Sequence, residues 1–215
     1  MAQNYVHTLF TDAARAMQAA DGSRGSYARM EEGASGEPDA ISDKEAEFIA
    51  ARDSFYLASV TSEGWPYMQH RGGPAGFLKV LPGNRLGFAD YRGNRQHVST
   101  TNLIAEPRVS LFLMDYPNRR RLKILGRARI VLAEDDPELV ASLMPEGYKA
   151  LAERAYIIDL VGFDWNCPQH ITPRFTEAEL AQAIRPLTTE LNQLRSEVER
   201  LRALLPSNQN NGDLK

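Results

Sequence analysis

The sequence predicts a mainly β, α+β fold: an antiparallel barrel of six or seven strands with short peripheral helices and a C-terminal heptad helix. Three observations lead there. Between residues 55 and 161, short apolar or alternating runs recur with turn signals between them. The intervening helical stretches are too few for regular strand–helix alternation, which argues against a parallel α/β sheet. After residue 186, leucines recur alternately four and three apart.

Taken in order, residues 4–20 have helical propensity and an apolar stripe of Val6, Leu9, Phe10, Ala13 and Met17, ended by Asp21-Gly22-Ser23. Residues 22–40 are rich in Gly, Ser and Glu and read as a surface segment, so 1–41 is expected to be a helix and arm. Ser42, with Glu45 three residues on, forms a capping box for a helix to about Arg52.

Phe55–Val60 reads as a buried strand, Thr61–Gly64 as a turn, and Trp65 onward as a second strand running into Gln69-His70-Arg71-Gly72-Gly73-Pro74. Phe77–Val80 and Arg85–Ala89 flank the turn Pro82-Gly83-Asn84. Residues 94–105 read as a helix that stops before Glu106-Pro107. Val109–Met114 is a buried strand, and Arg121–Val131 alternates charged and apolar residues, as a strand with one wet face does. A short helix over 136–144 and a strand over Arg154–Val161 complete the series.

Thr176 and Glu179 form another capping box, and Pro186 is expected to restart a helix. Leu187, Leu191, Leu194, Val198, Leu201 and Leu205 give it a heptad seam over about three repeats. Such a seam serves either self-association or packing on its own domain. A disordered tail is expected over 206–215.

The net charge of −3 gives no global basic field for nucleic acid or anionic membrane. Cys167 is the single cysteine, which excludes an intrachain disulfide, and no apolar run approaches the roughly 20 residues of a membrane helix. No secretory signal is apparent, and a cytoplasmic protein is expected. The four histidines have no metal-ligand spacing, and no metal is expected. Hydrolase and nucleotide-triphosphatase motifs are absent from the sequence.

Four stretches could carry chemistry. In Gln69–Pro74, Arg71 can fork onto a phosphate while Gly72 and Gly73 let a flat or anionic ligand approach, although a solvated hairpin edge has the same composition. Ala89, Asp90, Arg92, Asn94, Arg95 and Gln96 lie where a strand ends and a helix begins, a place that favours an anion; Asn94 can equally cap that helix. The triplet Arg119-Arg120-Arg121 offers charge at a hairpin, either as a solvated face or as anion contacts. In Asp164-Trp165-Asn166-Cys167-Pro168-Gln169-His170, Trp165 can wall an aromatic ligand, and Cys167 is expected to be incidental.

As an ordered series these motifs resemble the pyridoxamine 5'-phosphate oxidase-like, FMN-binding split-barrel proteins over residues 42–175. The resemblance is carried by Phe55–Val60, Glu63–Pro66, Arg71–Phe77, Gly93–Arg95, Asn102-Leu103, Glu106–Val109, Arg121–Arg129 and Asp164–Ile171 with Arg174-Phe175. It implies a split-barrel homodimer with FMN at the subunit interface. The strand Gln69, His70, Arg71, Gly72 and Gly73 would lie along the flavin, and the corner Ala89 to Gln96 would grip the phosphate. The partner subunit would add Arg121, Trp165 and Arg174. The corner Gly93-Asn94-Arg95 departs from the Ser-Arg-Lys of the oxidase itself, and the oxidase's Arg-x-His near the C-terminus is absent. Pyridoxamine phosphate is therefore not the expected substrate.

Two readings remain at this level. One is an FMN-dependent oxidoreductase acting on a small molecule, with NADH or NADPH as a candidate reductant and His70 and His170 as the candidates for a catalytic proton donor. The other is a flavin, haem or deazaflavin binding or sensor module without turnover.

Overall fold

Alternating burial along Arg108–Asp115 places Val109, Leu111 and Leu113 in the core, and the same period of two organises its neighbours. The computed structural model describes residues 4–32, 36–165 and 168–204. Seven strands form one sheet: β1 (Ser54–Val60), β2 (Pro66–Gly72), β3 (Lys79–Leu81), β4 (Arg85–Tyr91), β5 (Arg108–Asp115), β6 (Arg120–Leu132) and β7 (Ala152–Trp165). Every pair is antiparallel, in the order β2-β1-β5-β6-β7-β4-β3.

The backbone ladder is open between β2 and β3, which is the split expected of the barrel. Register shifts at Leu125/Gly126 and at Asp90/Tyr91 mark the irregular points of the long β6–β7 and β4–β7 pairings. Across the opening, side chains take over from hydrogen bonds. Phe55 stacks on Phe77 at 5.5 Å and meets Phe88 edge-on at 5.3 Å. The core inside the barrel also contains Leu57, Leu111, Leu113, Leu122, Ile124, Tyr156 and Ile158. A second cluster lies on the other face of β4 and β7, where α6 (Pro137–Leu143) supplies Val140 and Leu143 against Ala89, Ala155 and Ile157. Being covered on both sides, β7 is buried continuously from Ala155 to Ile158 rather than alternating.

Several helices differ from expectation. Residues 4–20 form two helices, α1 (Asn4–Leu9) and α2 (Asp12–Ala20), because the Thr11 hydroxyl caps α2 by accepting from Ala14 N. The expected surface segment over 22–40 contains α3 (Arg24–Glu31), and Glu31 pairs with both Arg15 and Arg24. Nor is the N-terminal stretch a free arm. Asn4 Nδ2 donates to Val161 O at 2.7 Å, and Asp39 accepts from the backbone of Asn4, Tyr5 and Phe163. Gly162 makes this docking possible, since a Cβ there would lie 2.6 Å from Tyr5 N.

The helix α4 (Asp43–Ala50) has the expected Ser42–Glu45 capping box. By contrast α5 (Val98–Ala105) begins four residues later than the expected 94. The helix α7 (Glu177–Leu204) runs continuously through Pro186, correcting the expected restart there; its Thr176–Glu179 box is present. The chain divides into two units, Met1–Thr172 and Pro173–Lys215. Asn166, Cys167, Leu205 and the expected tail over 206–215 lie outside the described residues.

Candidate functional site

Where β2 crosses the opening of the sheet toward β4, Arg71 turns inward because β2 alternates and its odd-numbered residues face the barrel. Its Nη1 donates to Asp90 Oδ1 at 2.5 Å, and its guanidinium lies over the rings of Tyr156 (5.1 Å) and Phe88 (5.7 Å). Asp90 also faces Arg154 Nε at 3.5 Å, across the register Asp90↔Arg154 of β4 and β7. Burial pushes the Asp90 carboxyl pKa up, and the charges of Arg71 and Arg154 oppose that rise.

Beyond Asp90 the chain turns sharply. Arg95 (φ 58°) and His97 (φ 56°) adopt the left-handed conformation that side chains usually avoid. His97 occupies the N-cap position of α5 and makes no side-chain cap bond, so the first-turn N–H groups of α5 lack a side-chain acceptor there. The expected capping by Asn94 is thereby corrected: its Oδ1 accepts from Gln96 N at 3.2 Å, two residues away. Glu153 gathers Arg92 Nε at 2.7 Å and Arg95 Nη2 at 2.9 Å, and these hydrogen bonds hold its carboxyl at about 2 instead of 4.5.

The result is a small cavity of about 70 Å³ bounded by Gln69, Arg71, Asp90, Arg95, Ser99 and Arg154 among others. A second hollow of about 210 Å³ adjoins it along Arg71, Gly72, Ala89, Asp90 and Arg92. Four arginines (71, 92, 95 and 154) stand against two carboxylates (90 and 153) on these walls, a local surplus of positive charge. The Nε atoms of Arg71 and Arg154 are buried without a hydrogen-bond acceptor in the protein. Gln69 and Ser99 complete the rim through an Oγ-to-Oε1 hydrogen bond of 2.8 Å.

The structure therefore brings Gln69, His70, Arg71, Gly72, Ala89, Asp90, Arg92, Asn94, Arg95 and Gln96 together along the two hollows, whereas Gly73, Arg121 and Trp165 are not on their walls. His70 borders the second hollow from the opposite face of β2 to Arg71, with its ring edge-on to Tyr56 at 5.6 Å. Gly73 serves packing: a Cβ there would lie 2.8 Å from the Phe77 ring, so Phe77 takes the space the sequence reading gave to a ligand. Arg121 lies over Phe112 at 5.7 Å, with its own Nε buried and without an acceptor. Trp165 is held within its own chain. Its Nε1 donates to Glu45 at 2.7 Å, and its ring meets Phe48, Lys44 and Arg120. His170 lies in the turn that follows β7, and Arg174 belongs to the second unit.

Contributors that escaped the sequence reading include Ser99 of α5 and, from the start of β7, Glu153, Arg154 and Tyr156. Tyr156 is fully buried, stacked on Phe88 at 4.9 Å, with its hydroxyl 2.8 Å from Thr100 Oγ1. Only the β4–β7 register puts the β7 residues beside Asp90; the charged pair Glu153-Arg154 at a strand start was the available signal.

The sequence pattern that defines the pyridoxamine 5'-phosphate oxidase family matches residues 41–162, more than half of the chain. The chain belongs to that family. This match spans β1 to β7 and thus both sides of the cavity. Solved structures with a similar fold include HupZ of Group A Streptococcus (12% identity, TM-score 0.48, covering 63% of this chain and 99% of that one). A putative pyridoxamine 5'-phosphate oxidase from Lactobacillus delbrueckii is 17% identical at TM-score 0.44, covering 58% and 93%. An F420 reductase is 19% identical at TM-score 0.42, covering 58% and 98%. A search of curated proteins gives no match. Among the described residues no group of three or more His, Cys, Asp and Glu is arranged to hold a metal, and no helix is long and apolar enough to cross a membrane.

Proposed function

We propose that this member of the pyridoxamine 5'-phosphate oxidase family is an FMN-binding oxidoreductase that acts as a homodimer. Flavin binding is common in the family. The observation that carries the reading here is the pair of buried Arg71 and Arg154 Nε donors, neither hydrogen-bonded within the protein, beside a pocket with surplus positive charge. A phosphate is the ligand that such donors fit, because its oxygens accept from several guanidinium N–H groups at once. Arg71, Arg95 and Arg154 would hold it, together with the first-turn N–H groups of α5. Bound FMN would supply hydride or electron transfer, and the residues around it would bind, orient and exclude water.

The dimer is inferred from the outward face of β2, β1 and β5. Met68 is 65% exposed and Tyr56 38%, beside Phe112. Arg121 sits on that face with an unsatisfied buried Nε, which a phosphate or carbonyl from a second copy would satisfy. Pyridoxamine phosphate is not proposed as substrate, given Gly93-Asn94-Arg95 at the corner.

The test is the visible spectrum of the purified protein, followed by chromatography of the acid-released cofactor. Flavin absorbance with FMN as the main species is expected. FAD as the main species, a Soret band, or no affinity for added FMN would overturn the reading. Bleaching by NADH or NADPH would identify a reductant.

A further inference from the structure

We propose that α7 is one strand of a parallel, two-stranded coiled coil formed with α7 of a second copy of this chain. The inference rests on α7 alone and is independent of flavin binding. Its apolar residues extend the seam beyond the leucines first noted: Leu180, Ile184, Leu187, Leu191, Leu194, Val198 and Leu201 keep the four–three alternation. All seven are between 45% and 65% exposed, although they form one continuous stripe on the helix.

The identities along the stripe select the partner. With Leu180 at heptad position d, every d position is leucine (180, 187, 194, 201), while the a positions include β-branched Ile184 and Val198. Leucine at d with β-branched residues at a favours two parallel strands over three or four. Pro186 falls at c, on the outer face, away from the seam.

Charge selects the orientation. The g positions of the later heptads are Glu190 and Glu197, and the e positions that follow them by five residues are Arg195 and Arg202. In a parallel pair each g residue faces the e residue of the next heptad on the other strand, so Glu190 meets Arg195 and Glu197 meets Arg202, twice each by symmetry. An antiparallel pair would set g against g and e against e, glutamate on glutamate and arginine on arginine. Among the described residues Glu190, Arg195 and Arg202 form no ion pair within the chain, and Glu197 pairs only with Arg200, in an exposed contact of 2.6 Å that can exchange at little cost. A parallel coil attaches both barrel units at the same end and raises their effective concentration for each other.

The test uses the full-length chain with Cys167→Ser and one new cysteine. Leu187→Cys and Leu201→Cys each place identical positions of the two strands in the same core layer, and each should give a covalent dimer as the main band under mild oxidation. Ser196→Cys, on the outer face, should stay monomeric on the same gel. If antiparallel strands centred on Leu194 are present, the 187 variant will cross-link to the 201 variant and neither to itself. If α7 packs on its own barrel, none will cross-link. Either result, or equal cross-linking at 196 and 201, overturns the proposal. A second arm reads the charges. With Leu201→Cys in both chains, Glu190→Lys/Glu197→Lys mixed with Arg195→Glu/Arg202→Glu should give mainly the mixed disulfide. Random assortment would overturn the parallel register.

Discussion

Arg71 and Asp90 are coupled, so their roles in binding and in folding must be separated. Removing Arg71 alone leaves the buried Asp90 carboxylate with only the more distant Arg154. The informative variant is Arg71→Ala with Asp90→Asn, which should fold and bind FMN roughly ten- to a hundred-fold more weakly, the loss of one charge-assisted phosphate contact. Arg95 is about half exposed and its partner Glu153 keeps Arg92, so Arg95→Ala should weaken binding without lowering the melting temperature. Fluorescence titration with FMN and a thermal melt check both. Unchanged affinity in both variants would show that the phosphate lies elsewhere. Glu153 gives a pH prediction. Its carboxyl is held at about 2, below the ordinary 4.5, so the folded state takes up its proton less readily than the unfolded one. Its stabilising effect is present above pH 4.5 and is lost as pH falls toward 2. Carboxyl chemical shifts followed by NMR should place its midpoint at about 2, well below the ordinary 4.5.

At the scale of elements, two anchors hold α4 and the end of β2 in place. Trp165 joins β7 to α4 through Glu45, whose carboxylate also completes the Ser42 cap. Trp165→Ala would remove the edge-on contact with Phe48 and leave Glu45 short of a donor. The expected loss is about 3 kcal/mol, the low end for aromatic truncation because the ring is half-buried; urea unfolding measures it. The same variant tests the partner role, since a loss of FMN affinity exceeding the loss of stability would mean that Trp165 also touches the cofactor. Gly73 is the second anchor. The Cβ of Gly73→Ala would meet the fully buried Phe77 ring at 2.8 Å, and Phe77 has no free direction to move because Phe55 stacks on it. Overpacking of this kind costs about 1–3 kcal/mol and should lower the melting temperature while leaving the Arg71 side chain untouched.

For the whole molecule, the exposed sheet face and α7 offer two association surfaces of different size. A three-heptad coil is marginal alone, whereas a barrel face can bury an area typical of stable dimers. Deleting residues 186–215 should therefore leave a flavin-loaded dimer of lower thermal stability, measured by light scattering at micromolar concentration. A flavin-free monomer would show that the coil, and not the barrel face, sustains the assembly.

Sequence periodicity determined the strands, the Ser42 and Thr176 capping boxes and the leucine stripe, because each depends on residues within a few positions of one another. It also brought out Arg71 and the Asp90–Gln96 corner, since arginines beside glycines at a strand end are locally unusual. It misplaced the start of α5, because the left-handed turns at Arg95 and His97 are held by the structure around them against their own preference. It could not order the strands, and so could not see that β7 lies beside β4 and gives Glu153, Arg154 and Tyr156 to the site. Nor could it separate His70 from Arg71, which are adjacent in the chain and face opposite sides of β2. Those contacts join residues dozens of positions apart, and only the register and curl of the sheet decide them.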